Sequence, residues 1–422
     1  MAVITYKCPS CGGEVTYNPP EKGFDCEYCD SFFYEKDIEN YWKHNEETDL
    51  SKDVNAAYSV NELEELEKYN SQINLYTCSG CGAEITADDT TSATSCCYCH
   101  CPVILTGRLA GKYKPDKMIA FNYDKNQAVE IFNNWIKKRW FVPKDFKTSS
   151  GDITGIYVPY WLADCNTESS MNALGLKTRS WRKGNYLVTE TKEYDVEREA
   201  KLYFEDVPID AAQKIDNELL GAIEPYNYSE FKPFSMAYLS GFLSNKFDIT
   251  QQDVMKDITK RVEDSSKEYL RSTMRDYSSV KISAAICDIK KSNFEYALLP
   301  VWFLNYKYND KDYEIVVNGQ TGKLAGTPPL SIKRLLTGAL LLIVGMSIFG
   351  SIAGTILSLG QGVGGGGFFF GFIAAMVMIV NSKFSYKFKK QISGTNYLKN
   401  SDLTLEKDIH LRTYQTREKV ND

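Results

Sequence analysis

The residues best suited to chemistry are eight cysteines that form four pairs, with two residues between the members of each pair. Such a pair can bind one side of a metal ion, and two pairs supply the four tetrahedral sulfur ligands that zinc prefers. A short segment, long enough for a hairpin, separates the first two pairs, and a similar one separates the second two. The sequence therefore predicts two zinc ions, with the ligands Cys8, Cys11, Cys26 and Cys29 in the first module and Cys78, Cys81, Cys96 and Cys99 in the second.

The two cysteine modules are copies of one repeat, because matching residues extend past the sulfurs. Tyr28, between the last two cysteines of the first module, reappears in the second as Tyr98. Four protein ligands leave no open position for water, so both metals should be structural rather than catalytic. The repeat alignment favours Cys96 and Cys99 as ligands over three further candidates nearby, which are Cys97, His100 and Cys101.

The chain has few residues suited to acid-base or nucleophilic catalysis. No nucleophile elbow and no His-Glu-x-x-His sequence accompanies its three histidines, which are His44, His100 and His410. The cysteines outside the modules, Cys165 and Cys287, have no base beside them in the sequence. We therefore expect no catalytic residues and no enzyme activity. A thiol redox enzyme or chaperone that uses Cys97 and Cys101 is an alternative hypothesis.

The charge of the chain argues against nucleic acid as a partner. The formal net charge is -6, and residues 1–34 contain two basic and five acidic side chains. A zinc ion with four thiolates adds a further charge of about -2. Phosphate binding requires a cationic surface, so a cytosolic protein is the favoured partner. A nucleic-acid-binding regulator remains the alternative.

The elements that must position the cysteines form an α+β arrangement. Sequences typical of helix N-termini begin at Asp124, Asp210 and Thr250, and β-branched or aromatic runs separate them. Two of these runs share a Pro-x-Trp sequence, at Pro159 and Pro300. The α+β domain therefore consists of two divergent halves, or the similarity of the two strands is a coincidence.

Changes in composition divide the chain into six parts. The predicted organisation is a zinc ribbon at 1–34, an acidic helical linker at 35–75, a second zinc ribbon at 76–108, an α+β domain at 109–330, a membrane hairpin at 331–382 and a cytosolic tail at 383–422.

Residues 335–380 contain no charged residue and no histidine. A membrane-spanning helix needs about 20 apolar residues, which residues 335–359 supply and residues 363–380 nearly supply. Basic residues flank the stretch on both sides, and such residues stay in the cytoplasm. The sequence therefore predicts a transmembrane helical hairpin in the bacterial cell membrane, with both termini in the cytoplasm. Gly-x-x-x-Gly spacings within it allow close helix packing, or association of two copies into a homo-oligomer.

Together, the two cysteine modules and three further segments resemble a bacterial family of TFIIB-type zinc-ribbon-containing membrane proteins. The segments are residues 157–164, 224–239 and 297–302. The relatives look like partners of phage-shock-type membrane-stress proteins. The predicted hairpin, the acidic cysteine modules and the lack of a catalytic set lead to the hypothesis of a membrane-anchored adaptor or scaffold that recruits cytosolic proteins to the inner face of the membrane. The resemblance suggests a membrane-stress response as its context.

Overall fold

Long antiparallel strands form the centre of the fold. The computed structural model describes residues 3–42, 75–78, 83–87, 90–96, 101–109, 113–146, 152–213, 215–356 and 394–419. The strands are β1 Val3–Ile4, β2 Thr16–Asn18, β3 Gly23–Asp25, β4 Phe32–Phe33, β5 Leu75–Thr77, β6 Glu84–Thr86, β7 Thr91–Ser95, β8 Pro102–Leu105, β9 Lys117–Met118, β10 Asp152–Lys183, β11 Tyr186–Asp210, β12 Lys232–Pro233, β13 Leu243–Asn245, β14 Ser279–Tyr308, β15 Lys311–Asn318, β16 Leu324–Gly326 and β17 Leu398–Lys419. The helices are α1 Lys125–Lys137, α2 Asn217–Ile223, α3 Gln251–Ser272 and α4 Ile332–Ile356.

The largest sheet contains every long strand. Along its main part the order is β17, β11, β10, β14, β15 and β16, with all neighbours antiparallel. A tight turn joins β10 to β11, and Gly184 adopts a φ of 60° there, which a residue without a side chain tolerates best. Strands β1, β8, β7 and β13 extend the sheet beside β10. The second cysteine module, which contributes β7 and β8, is therefore part of this sheet.

Two helices begin where the sequence predicts them. Asp124 forms a capping box, because its side chain accepts a hydrogen bond from the NH of Gln127 and its NH donates to the Gln127 side chain. Thr250 caps the other helix by donating from its NH and its hydroxyl to the side chain of Asp253. Helix α3 buries Val254, Ile258 and Val262 at intervals of four, which places one apolar face against the sheet. The third prediction is wrong: Asp210 ends β11, and the next helix is capped by Asp216.

The first cysteine module forms its own small sheet of β2, β3 and β4 and packs on the domain behind it. The ring of Tyr17 lies 4.8 Å from that of Tyr238, and its backbone NH donates to the carbonyl of Ser240 at 3.1 Å. Beneath Tyr17, the rings of Phe121 and Phe242 stack at 4.2 Å. The module and the domain therefore share one hydrophobic core.

The predicted α+β class is wrong, since the described chain is mostly β-sheet. Strands β10 and β14 have 32 and 30 residues, and each continues through polar residues that sequence periodicity cannot assign to a strand. The predicted helical linker at 35–75 falls largely outside the described residues, which show helix at 35–42.

The prediction of a transmembrane hairpin is also wrong, and with it the integral membrane attachment by two spans and the location in the bacterial cell membrane. Among the described residues, no helix is long and apolar enough to cross a membrane. Helix α4 begins against protein, because Leu335 and Ala339 are buried and the Arg334 side chain donates to the carbonyl of Val142 at 2.8 Å. The second predicted span, residues 363–380, lies outside the described residues.

Candidate metal centre

Two tight turns present the four cysteines of the first module. In the first turn, the NH of Gly12 donates to the carbonyl of Cys8 at 2.9 Å, and Gly12 has a φ of 74° that favours glycine. In the second turn, between β3 and β4, the NH of Asp30 donates to the carbonyl of Cys26 at 2.9 Å. The short β2–β3 hairpin connects the turns and brings them face to face.

The four sulfur atoms form a compact group. All four Sγ atoms lie within 4.8 Å of one another; Cys8 and Cys29 are 3.7 Å apart, and Cys11 and Cys26 are 3.6 Å apart. Ligands at 2.3 Å from a tetrahedral zinc ion lie about 3.8 Å from each other. The predicted ligands of the first module are therefore arranged so that they could bind one metal ion.

The surroundings of the sulfurs are uneven. Cys8 and Cys26 are buried, whereas Cys11 and Cys29 are exposed, so the site lies at the surface of the module. Hydrogen bonding with the Ser31 side chain, followed by that with the Cys11 thiol, lowers the pKa of Cys29 to about 6. For Cys11, a hydrogen bond from the backbone amide of Gly13 lowers the pKa. Hydrogen bonding with the Cys29 thiol, burial and hydrogen bonding with the other two thiols together outweigh this effect and raise the pKa to about 12. Cys29 is therefore more readily deprotonated for metal binding than Cys11.

Where it is described, the second module repeats a backbone hydrogen bond of the first. The NH of Cys78 donates to the carbonyl five residues on, as that of Cys8 does. Two predicted ligands, Cys78 and Cys96, are buried in one cluster together with Cys101. The other two predicted ligands, Cys81 and Cys99, and the further candidates Cys97 and His100 lie outside the described residues.

Sequence reasoning missed the position of Cys101. Its Sγ lies 3.0 Å from the Sγ of Cys78, closer than the 3.6 Å and 3.7 Å contacts between sulfurs of the first module. The repeat offers a partial signal, since Cys101 occupies the position of Ser31, and Ser31 contacts the predicted ligand Cys29. The repeat thus indicates a place beside the sulfurs but not the contact with Cys78.

Sequence reasoning also missed a buried polar cluster beside α3. The guanidinium of Arg261 pairs with Glu224, and the hydroxyl of Tyr397 donates to the same carboxylate at 2.7 Å. Next to them Asp210 is buried, and burial, more than the nearby charge of Glu224, raises its pKa to about 7. Asp210, Glu224 and Arg261 line a cleft of about 430 Å³. These residues come from distant parts of the chain, and no local spacing indicates their proximity.

Comparison with known proteins identifies a relative along most of the chain. Over 331 residues the sequence is 31% identical to that of the Bacillus subtilis (strain 168) protein YdjG, which covers 78% of this chain and 91% of that protein. YdjG is described as an uncharacterized protein. No family model and no solved structure matches the chain.

Proposed function

We propose that this chain, which belongs to the same family as the Bacillus subtilis protein YdjG, is a zinc-stabilised adaptor that binds another protein through its first cysteine module. The observation that carries the proposal is the compact group of four cysteine sulfurs at the base of an exposed aromatic surface. Zinc is the metal that best suits four thiolates in a tetrahedral arrangement.

We refer to the exposed aromatic side chains of the module, which are Tyr28, Phe32 and Tyr34, as its aromatic surface. Tyr28 is 88% exposed and Tyr34 is 65% exposed, and the rings of Phe32 and Tyr34 meet edge to face at 5.1 Å. Tyrosine and phenylalanine are enriched at protein interfaces, where they bury a large area at a small cost in conformational entropy. Exposed aromatic rings at this density therefore favour contact with a protein.

The metal would fix the aromatic surface in place. Tyr28 lies between the ligands Cys26 and Cys29 and packs closely on Gly13 in the opposite turn. A Cβ atom added to Gly13 would lie 3.0 Å from the Cβ of Tyr28. Loss of the metal would let the two turns separate and would displace Tyr28. Since four protein sulfurs fill the coordination of the metal, its contribution is structural.

The charge of the module indicates the chemistry of the partner. Residues 1–34 contain five acidic and two basic side chains, and a bound zinc with four thiolates makes the surface more negative. A partner surface with basic residues around an apolar pocket is complementary to it. The resemblance to zinc-ribbon proteins linked to phage-shock-type stress proteins makes stress-response proteins the first candidates. A second zinc ion at Cys78, Cys81, Cys96 and Cys99 is part of the proposal.

Elemental analysis of the purified full chain tests the metal sites. We expect two equivalents of zinc in the wild type, and one in each of the single variants Cys8→Ser and Cys78→Ser. Iron in place of zinc, or a metal content that neither substitution changes, would contradict the assignment.

Site-specific cross-linking tests the interface. A photo-reactive amino acid at Tyr28 should capture one reproducible protein in cells, and the same probe at Tyr186, which is exposed at the β10–β11 turn, should not. The captured protein, once purified, should bind the full chain, and both Tyr34→Ala and Cys8→Ser should weaken that binding. Equal capture from both positions would refute the interface. Salt-sensitive binding of DNA or RNA by the full chain, with no protein captured, would favour the nucleic-acid-binding alternative.

A further inference from the structure

The cleft of about 430 Å³ beside α3, which we call the α3 cleft, combines a buried carboxylate with several exposed ones. Its lining comes from the end of β11, from α2 and the residue after it, and from α3. Asp210 is the buried carboxylate, with an exposed fraction of 8%. The exposed carboxylates are those of Asp257, Asp264 and Glu268. Asp210 therefore lies at the base of the cleft, and the others lie at its mouth.

The charged residues of α3 that line the cleft belong to one face of the helix. Asp257, Arg261, Asp264 and Glu268 recur at intervals of four, three and four residues, which is the spacing of one helix face. Arg261 forms an ion pair with Glu224, so these two charges offset each other. The remaining charged side chains of the lining are four carboxylates and one lysine. The α3 cleft therefore attracts cations.

Two buried polar groups at the base of the cleft have no hydrogen-bond partner among the described residues. They are the Oδ2 atom of Asp210 and the hydroxyl of Tyr160. These residues lie directly opposite each other on β11 and β10, so their side chains share one face of the sheet. The guanidinium of Arg261 donates instead to Glu224 and to the carbonyl of Pro208. Buried polar groups are nearly always hydrogen-bonded, so this pair indicates a place for a bound molecule that donates hydrogen bonds.

We propose that the α3 cleft binds a small organic amine, whose ammonium group pairs with the carboxylate of Asp210. An ammonium group carries a positive charge and three N–H donors, and it can satisfy a carboxylate and a neighbouring hydroxyl oxygen together. Hydrogen bonds between ionised partners are the stronger class. The volume of the cleft lies within the range of about 300 to 1,000 Å³ that is usual for small-molecule sites.

A divalent metal ion suits the α3 cleft less well than an amine. Calcium and magnesium need about six or more oxygen ligands that converge at about 2.0 to 2.6 Å from the ion. Within the described part of the chain, the four cysteines of the first module are the only converging group of three or more possible metal ligands. The carboxylates of the cleft are thus too far apart to enclose one ion. Separated carboxylates suit an elongated cation, with one ammonium group at Asp210 and a second near the mouth.

The pairing requires an ionised Asp210, which makes it depend on pH. Burial raises the pKa of Asp210 to about 7; the charges of Glu224 and Asp257 act in the same direction, and that of Arg261 opposes them. The other charged side chains that line the cleft are Lys260, Asp264 and Glu268. Below pH 7 a proton competes with the amine for Asp210, while the amine itself stays charged. The affinity should therefore rise by about tenfold between pH 6 and pH 8.

Calorimetric titration of the purified full chain with putrescine, a four-carbon diamine, tests the site. The solution contains about 0.15 M salt, which screens exposed charges. We expect one binding site in the wild type. Asp210→Asn keeps the shape of the side chain but removes its charge, so it should weaken binding by about tenfold or more. Asp195→Asn removes the same charge from an exposed position of β11 and should leave the affinity unchanged.

Several outcomes would overturn the proposal. These are no binding of putrescine at pH 8, equal affinity in the wild type and Asp210→Asn, or an affinity that falls as pH rises. An equal loss in Asp195→Asn would show attraction to the general surface charge. Binding of magnesium or calcium chloride without binding of putrescine would identify a metal site instead. Failure of the proposed adaptor function is distinguishable, because no residue of the cysteine modules lines the cleft.

Discussion

Replacing Asp210 with asparagine should stabilise the protein, and the gain should increase with pH. Asp210 ends β11 opposite Tyr160 and is 92% buried, since its exposed fraction is 8%. Its Oδ2 atom has no hydrogen-bond partner among the described residues. Burial raises the pKa of Asp210 from 3.8 to about 7, and the charge of Glu224 contributes in the same direction. Ionised Asp210 therefore lowers the free energy of unfolding, and asparagine, which carries no charge, removes that cost.

The size of the effect follows from the two pKa values. Between pH 3.8 and about 7 the unfolded chain has lost the proton and the folded chain still holds it, so the free energy of unfolding falls as pH rises. The whole gap corresponds to about 4 kcal/mol, which is fully present above the folded-state pKa. Between pH 5 and pH 8, the advantage of Asp210→Asn over the wild type should grow by about 3 kcal/mol.

Urea unfolding of both proteins from pH 5 to pH 8, followed by tryptophan fluorescence, measures this difference. Trp161 is a suitable reporter because it pairs in register with Ile209, next to Asp210. The matched control is Asp195→Asn, an exposed position on the same strand, which has no burial cost to relieve. If the advantage of Asp210→Asn stays constant or shrinks as pH rises, the buried carboxyl does not titrate as argued.

Three further substitutions test contacts that hold the fold together. Tyr397→Phe removes the hydroxyl that donates to Glu224 and should lower the free energy of unfolding by about 2 kcal/mol in urea titrations. Asp408→Ala removes one of two carboxylates that pair with the buried Arg198 guanidinium, the other being Glu406 at 3.1 Å. It should cost about 2 kcal/mol and speed amide hydrogen exchange along β17. Tyr17→Ala should cost about 3 kcal/mol and expose the first module to protease, while its metal content stays unchanged.

Two of these substitutions have a control on the same element or module. Asp402→Ala, exposed on β17, should leave exchange along that strand unchanged, and Tyr34→Ala should leave the first module resistant to protease. If a variant and its control lose protection from exchange or from protease to the same extent, the contact removed by the variant does not stabilise that element. For Tyr397→Phe, an unchanged unfolding midpoint would contradict the role of its hydroxyl.

Features encoded within a few residues could be predicted from the sequence. The helix starts at Asp124 and Thr250 depend on a side chain and a backbone NH three residues apart. The first metal centre depends on two cysteine turns joined by one hairpin, so spacing alone indicated it.

Features that depend on distant partners could not be predicted. Residues 398–419 are polar, and their composition predicted a tail without regular structure. They form a strand because their backbone pairs with the edge of β11 and Asp408 pairs with Arg198. The apolar run after Leu335 predicted membrane spans, whereas no helix of the described residues is long and apolar enough to cross a membrane. The burial of Leu335 and Ala339 depends on residues that are distant in the sequence. The contact of Cys101 with Cys78 also depends on a partner in another turn.

The pairing of β17 with β11 has a consequence for how the chain folds as it is made. Glu197 and Lys407, which pair in the register of these strands, are 210 residues apart. At about 5 to 20 residues per second, the ribosome needs on the order of ten seconds or more to deliver the second strand after the first. During that interval the backbone NH and carbonyl groups at the edge of β11 have no strand to pair with. A chaperone or a neighbouring nascent chain therefore has time to bind this edge before β17 is synthesised.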